Sequence, residues 1–80
     1  MKNVTIYSTP TCGWCRIAKQ FFQHYNVEFK EIDVAGDQAA LKEMVQKSGQ
    51  MGVPVIDVEG DIIVGFNQPK LMELLELSQA

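Results

Sequence analysis

The spacing of apolar residues changes repeatedly along this 80-residue chain, and this alternation limits the folds that the chain can adopt. Residues 2–7 alternate polar and apolar side chains, which is typical of a half-buried β-strand. After a turn-rich segment, the chain from Gly13 onward has helical spacing, with one apolar face: Ile17, Ala18, Phe21, Phe22 and Tyr25. Asn26 is predicted to end this helix.

The rest of the chain continues the alternation of strands and helices. Three further strands are predicted, at 27–33, 53–58 and 62–64. A second helix is predicted between Asp37, which can cap its start, and Gly49, which follows its end; its apolar face is Ala40, Leu41, Met44 and Val45. The last two strands are joined by a tight turn around Gly60. Pro69 suits the first turn of a final helix, whose packed face is Leu71, Met72, Leu74, Leu75 and Leu77.

The predicted order of elements is β-α-β-α-β-β-α. The first two strands, joined by a helix, should run parallel with a right-handed crossover, and the last two should form an antiparallel hairpin. The predicted fold class is therefore α/β, with a four-stranded mixed sheet flanked by three helices. Since 46% of the residues are hydrophobic and the sequence has no repeat or linker, we expect residues 1–80 to form a single domain.

The charge and hydropathy of the chain exclude several classes of partner. Its net charge is −3 and its lysines are scattered, so we predict no nucleic-acid surface. Its apolar runs are too short to span a membrane, and its N-terminus lacks the apolar core of a signal peptide. We expect a cytoplasmic protein with no membrane partner, and we expect it to be a monomer. In the cytoplasm a cysteine pair is more often catalytic or metal-binding than structural.

Both cysteines of the chain lie in one short segment, which reads TPTCGWCR over residues 9–16. Cys12 falls at the predicted start of the first helix, where free N–H groups and the positive end of the helix dipole favour an anion. This position is expected to lower the pKa of the Cys12 thiol and to make Cys12 the more exposed, attacking thiolate. Cys15 lies one turn further along the same side, so it is the inner thiol that can resolve a mixed disulfide.

Two other interpretations of the cysteine pair are open. Free cysteines are often buried and inert, but a helix start is a poor place to bury two thiols. A zinc site needs four ligands, of which this pair supplies two. The only histidine, His24, is predicted near the far end of the same helix, so it cannot complete the site. A metal would therefore require two chains or an external thiol.

Pro54 and several apolar residues are predicted to lie near the cysteines. Pro54 begins a strand, where a proline cannot donate to the ladder, and its preceding bond is either an ordinary trans bond or a cis bond. Trp14 is offset from the apolar face of the first helix toward the cysteines, which predicts that it is half exposed. An exposed apolar patch around the reactive sulfur would be a docking surface for a protein disulfide, and its candidate residues are Trp14, Met51, Val53 and Phe66.

Taken in order, these segments resemble the glutaredoxin family, including its short NrdH-type redoxins. The matching segments cover nearly the whole chain: YSTPTCGWC at 7–15, GVPV at 52–55 and VGF at 64–66. The resemblance implies a thioredoxin fold, thiol–disulfide exchange, a cis Pro54 and binding of the substrate backbone by main-chain atoms of Val53. The full set of predicted substrate-binding residues is Thr11, Trp14, Val53, Pro54, Gly65 and Phe66.

The chain departs from glutathione-using glutaredoxins at three places. Those proteins usually carry Pro-Tyr between the cysteines, where this chain has Gly13 and Trp14. They carry a Lys or Arg three residues before the first cysteine, to pair with a glutathione carboxylate, where this chain has Thr9. After the hairpin they carry a second glycine and then acidic residues, where this chain has Phe66 and no Asp. These departures imply weak glutathione binding, no bound cofactor, and reduction by a thioredoxin-reductase-like flavoprotein.

The prediction from the sequence is a dithiol electron carrier that reduces a disulfide in a protein such as ribonucleotide reductase. One alternative is a glutathione-dependent glutaredoxin. Another is a dimeric iron–sulfur cluster carrier, which Gly13 after the first cysteine allows and the missing glutathione contacts disfavour. A redox sensor with the same fold and no turnover is a further alternative.

Overall fold

The computed structural model describes residues 3–76 and confirms the predicted order of elements. The elements are β1 Val4–Ser8, α1 Gly13–His24, β2 Lys30–Asp33, α2 Gln38–Ser48, β3 Val55–Val58, β4 Asp61–Val64 and α3 Gln68–Leu74. Leu77, predicted for the packed face of the last helix, lies outside the described residues, as does the start of the first predicted strand at residue 2. Within residues 3–76, no helix has the length and apolar character needed to cross a membrane.

The four strands form one mixed sheet in the order β2-β1-β3-β4. β1 is parallel to β2, and β3 and β4 form an antiparallel hairpin, as predicted. In addition, β1 is antiparallel to β3. The hairpin turn contains Glu59 and Gly60, whose φ angles are 50° and 97°. Two successive positive φ angles are the turn geometry that matches the twist of the flanking strands.

Helices cover both faces of the sheet, and each face has its own apolar core. On one face α1 and α3 pack on the sheet through Phe22 and Leu71, which share an apolar core with Ile56 of β3. On the other face α2 packs through Met44 against Val55. All five side chains are fully buried, and each contributes about 1.5–3 kcal/mol by leaving water. The predicted fold class, a mixed four-stranded sheet with three helices, is confirmed.

Two strands, β2 and β3, begin two or three residues later than predicted, and the other differences at described residues are of one residue. β2 begins at Lys30 and not at residue 27, because the preceding segment is tied to the end of α1: the Val27 N–H donates to the Phe22 carbonyl oxygen at 2.8 Å. β3 begins at Val55 and not at residue 53, since Pro54 has no N–H to donate to the ladder.

Ile17 is not part of the buried face of α1, contrary to the prediction. Its side chain is 42% exposed, whereas the buried residues of the helix are Cys15, Ala18, Phe21 and Phe22. Apolar spacing identifies a face but not its edges, and Ile17 lies at the edge that the sheet leaves uncovered.

A charged network joins α2 to the face of the sheet that it covers. The Lys47 ammonium donates hydrogen bonds to the Tyr7 hydroxyl and the Asp57 carboxylate, each at 2.9 Å. These two hydrogen bonds raise the pKa of Lys47 above its ordinary value. Burial raises the pKa of Asp57, but the hydrogen bonds from Lys47 and from the Gly60 N–H outweigh it, so the pKa of Asp57 is lowered.

A second network ties α1 to the sheet through Glu31 of β2. Its carboxylate accepts a hydrogen bond from Lys19 of α1 at 2.7 Å and another from the buried Ser8 hydroxyl at 2.9 Å. The hydrogen bond from Lys19, followed by that from Ser8, lowers the pKa of Glu31.

These two carboxylates predict that the free energy of unfolding decreases as the pH falls from about 5 to about 3. Because the pKa values of Glu31 and Asp57 are lower in the folded protein than in the unfolded chain, the folded state binds fewer protons. Their contribution is complete above about pH 5 and is lost as the pH falls through the folded pKa values. Urea unfolding at a series of pH values measures the effect. A Glu31→Gln/Asp57→Asn variant should show a flatter dependence, and an unchanged slope would contradict the assignment.

Candidate active site

The turn after β1 places Cys12 at the start of α1. The Cys12 N–H donates to the Thr9 carbonyl oxygen, and the Arg16 N–H donates to the Cys12 carbonyl oxygen, both at 3.3 Å. Cys12 itself has extended backbone angles, as a capping residue does. The predicted position of Cys12 at the N-cap is therefore confirmed.

Cys12 and Cys15 are joined by a disulfide, with their Cα atoms 5.3 Å apart. The Cys12 sulfur also accepts the Cys15 N–H at 3.1 Å, so it serves as the capping atom of the helix. Cys12 is half-buried, whereas Cys15 is only 1% exposed. The first turn of α1 holds no acidic side chain, so no carboxylate on that turn opposes a negative charge on Cys12. The predicted outer and inner positions of the two sulfurs are confirmed.

The loop before β3 comes to the same edge of the sheet as the loop after β1, because Tyr7 pairs with Val55 in the antiparallel ladder. The bond between Val53 and Pro54 is cis. Pro54 is buried and Val53 is half-buried. Within residues 3–76, no main-chain group of Val53 takes part in a hydrogen bond. These groups are free to pair with an extended chain that is laid beside them.

Gly65 connects the end of the hairpin to this loop. Its N–H donates to the Pro54 carbonyl oxygen at 2.8 Å. Its φ angle is 81°, in the left-handed region that favours glycine. A larger residue at this position would therefore strain the backbone that holds Pro54.

Trp14 and Phe66 are in contact beside the cysteines. Trp14 is 61% exposed, and its ring stacks on Phe66 with 6.3 Å between centroids and 26° between planes. The Phe66 ring also makes an edge-to-face contact with Phe21, with 5.6 Å between the ring centroids. Met51 is 68% exposed in the loop before Val53. The structure thus joins two members of the predicted patch, Trp14 and Phe66, and leaves Met51 accessible.

Thr11 and His24 are both exposed. Thr11 lies in the turn directly before Cys12. His24 is the last residue of α1, far along the helix from the cysteines. Its ring centroid lies 4.9 Å from that of Tyr25, in an edge-to-face arrangement. Within the described part of the chain, no group of three or more His, Cys, Asp or Glu side chains is arranged to hold a metal ion.

One residue near the site was missed by the sequence analysis. The side chain of Gln50 makes two hydrogen bonds to the backbone of Gly52, directly before Val53. No residue pattern signals this contact, because a glutamine two residues before a glycine is common and its partners form only when the loop folds.

Known proteins with similar sequences cover most of the chain. The family model described as glutaredoxin matches residues 4–63. The chain is 45% identical over 73 residues to an uncharacterized glutaredoxin-like 8.6 kDa protein in the rubredoxin operon of Clostridium pasteurianum, covering 91% of this chain and 97% of that protein. It is 37% identical over 65 residues to glutaredoxin 3 of Escherichia coli, covering 81% and 78%. It is 30% identical over 71 residues to the glutaredoxin-like protein NrdH of Lactococcus lactis, covering 89% and 97%.

A solved structure confirms the likeness in three dimensions. A mutant of the thioredoxin-like protein BC3987 superposes with a TM-score of 0.89 at 33% sequence identity. The superposition covers 98% of this chain and 100% of that chain. The predicted thioredoxin-like fold is therefore confirmed.

Proposed function

The chain belongs to the glutaredoxin family of thiol–disulfide oxidoreductases, and from this premise we propose that it is a dithiol electron carrier that reduces protein disulfides. The observation that carries the proposal is the arrangement of the two cysteines. They form a disulfide at the start of a helix, with Cys12 partly accessible and Cys15 enclosed behind it. This asymmetry supports an attacking role for Cys12 and a resolving role for Cys15.

The reduced protein supplies two thiols and two electrons. The Cys12 thiolate attacks one sulfur of the substrate disulfide, so a Cys12–substrate bond forms, the substrate disulfide breaks, and the leaving thiolate takes a proton from water. Cys15 then attacks the Cys12 sulfur. This step forms the Cys12–Cys15 disulfide and releases the second substrate sulfur, which takes up the proton that Cys15 loses. The N–H of Cys15, held 3.1 Å from the Cys12 sulfur, favours the thiolate that starts the reaction.

The proposed substrate site lies between the cis-proline loop and the aromatic pair. The main-chain groups of Val53, unbonded within residues 3–76, would pair with the substrate backbone, with Pro54 beside the disulfide under attack. Gly65 supports this loop through its bond to Pro54. The Trp14–Phe66 stack would bury apolar side chains next to the substrate cysteine. Thr11, exposed in the turn directly before Cys12, is the remaining proposed contact.

Three residues support a flavoprotein of the thioredoxin-reductase type as the reductant, with glutathione a poor one. Thr9 offers no positive charge for a glutathione carboxylate. Phe66 is packed between two rings, and Asn67 caps α3 by accepting the Lys70 N–H at 3.2 Å. The segment after the hairpin therefore serves packing and capping, and presents no carboxylate to a glutathione amine. This assignment rests on the residues, since the sequence identities to glutaredoxin 3 and NrdH are both moderate.

A coupled assay tests the proposed function. With NADPH and a disulfide substrate such as insulin, thioredoxin reductase should sustain turnover at least about tenfold faster than glutathione with glutathione reductase, since one missing ion pair alone changes binding by about tenfold. The consumption of NADPH at 340 nm gives both rates. A Thr9→Lys variant, which adds the missing charge, should narrow the difference. Turnover with the glutathione system only would overturn the choice of reductant.

The proposed substrate is a disulfide in another protein. The resemblance to NrdH-type redoxins makes ribonucleotide reductase the first substrate to test. We propose further that the protein works as a monomer without a bound cofactor, since both reacting groups are side chains of one chain. We also propose that it works in the cytoplasm, where thiols are kept reduced.

A further inference from the structure

Gln50 holds the backbone on both sides of Gly52. Its Oε1 accepts the Gly52 N–H at 2.6 Å, and its Nε2 donates to the Gly52 carbonyl oxygen at 3.0 Å. Gly52 is exposed, so water could satisfy the same two groups. The hydrogen bonds are therefore not required for solvation of the loop, and their effect is to fix its orientation.

Gln50 is itself anchored to the end of α2. The Ser48 hydroxyl oxygen lies 2.7 Å from the Met44 carbonyl oxygen and 2.9 Å from the Gln50 carbonyl oxygen. The Gln50 N–H donates back to the Ser48 hydroxyl at 3.4 Å. A continuous series of hydrogen bonds thus leads from the last turn of a packed helix to Gly52.

Gly52 and Gln50 are complementary in shape. A Cβ atom added at Gly52 would lie 2.7 Å from Gln50 Oε1, closer than real contacts permit. The φ angle of Gly52 is outside the left-handed region, so its backbone does not require glycine. Glycine is needed at position 52 because of Gln50: any side chain at position 52 would displace the Gln50 amide.

The peptide unit that Gln50 holds is the one that carries the Val53 N–H. A trans peptide is planar, with its carbonyl and N–H pointing in opposite directions. The Gln50 bond to the Gly52 carbonyl therefore sets the direction of the Val53 N–H, which no group within residues 3–76 accepts. We propose that Gln50 is a positioning residue for substrate binding, which presents the Val53 N–H to the backbone of a disulfide substrate. This inference rests on the proposed function.

Substitution of Gln50 separates substrate binding from chemistry. In Gln50→Ala, the KM for a disulfide-containing peptide should rise about fivefold, the effect of one lost ordering hydrogen bond, while kcat changes less than about twofold. With bis(2-hydroxyethyl) disulfide, which has no peptide groups, the KM should not show this rise. A purely structural role would alter both substrates together. Thermal unfolding of each variant establishes that it is folded.

Gly52→Ala gives an independent variant, because its methyl group displaces the Gln50 amide. It should reproduce the change in KM, and the Gln50→Ala/Gly52→Ala double variant should be no worse than either single variant. Gln46→Ala, at an exposed glutamine of α2, is the matched control.

Three results overturn the inference, and they are distinguishable. If the wild-type protein turns over the peptide disulfide but Gln50→Ala keeps its KM within twofold, or if the two substitutions are additive, Gln50 does not position the substrate. If the wild-type protein leaves the peptide disulfide intact, the proposed function fails and the inference fails with it.

Discussion

A Cys12→Ser variant is expected to lose the disulfide-reducing activity of this protein, with a rate at least about a thousandfold lower. A serine hydroxyl stays protonated at neutral pH and forms no bond to sulfur, so the first step of exchange cannot occur. The measurement is a single turnover of the reduced protein with a disulfide peptide, followed by mass spectrometry of the quenched reaction.

The matched variant is Cys15→Ser, which keeps the attacking sulfur and removes the resolving one. It should react once and accumulate a stable mixed disulfide between Cys12 and the peptide. The Cys12→Ser variant should form little adduct, because Cys15 is enclosed by the fold. If the adduct formed more readily on Cys15 than on Cys12, the two roles would be reversed.

Phe22→Ala should destabilise the fold by about 3–5 kcal/mol, a large share of the stability of a small domain. Phe22 is fully buried on the face of the sheet that α1 covers. Its ring centroid lies 5.7 Å from that of Phe21 and 5.3 Å from that of Phe29. Removal of the ring loses the favourable free energy of its burial and leaves a cavity between α1 and the strands. Equilibrium unfolding in urea gives the change.

Ile17→Ala on the same helix is the control for this prediction. Because Ile17 is partly exposed and alanine is the better helix former, we expect a loss below about 1 kcal/mol. A loss equal to that of Phe22→Ala would mean that Ile17 belongs to the buried face, as its spacing in the sequence suggests.

The helix ends and the hairpin could be predicted because they depend on residues close in sequence. Asp37 caps α2 by accepting the Ala40 N–H at 3.1 Å, and Gly49 ends that helix with a φ angle of 76°. The tight turn at Gly60 forms as predicted. Each of these features depends on a group and a partner within three or four residues.

The site was predictable only in part. The spacing of Cys12 and Cys15 places two sulfurs on one helical turn, which local geometry alone requires. The cis geometry of Pro54 came from the resemblance to a family, because the residue type is compatible with either isomer. The contact between Gln50 and Gly52 has no signal in the residue pattern.

The sequence alone therefore determined the order of the elements, their caps and the position of the cysteine pair at a helix start. Tertiary structure decided the rest: which edge of α1 stays uncovered, the pairing of Tyr7 with Val55 that brings the loop of Val53 to the turn before Cys12, and the stacking of Phe66 on Trp14. The physical reason is the range of the interactions. Periodicity and capping are set within one or two turns, whereas the site is assembled by strand pairing and ring packing between residues about forty to fifty positions apart.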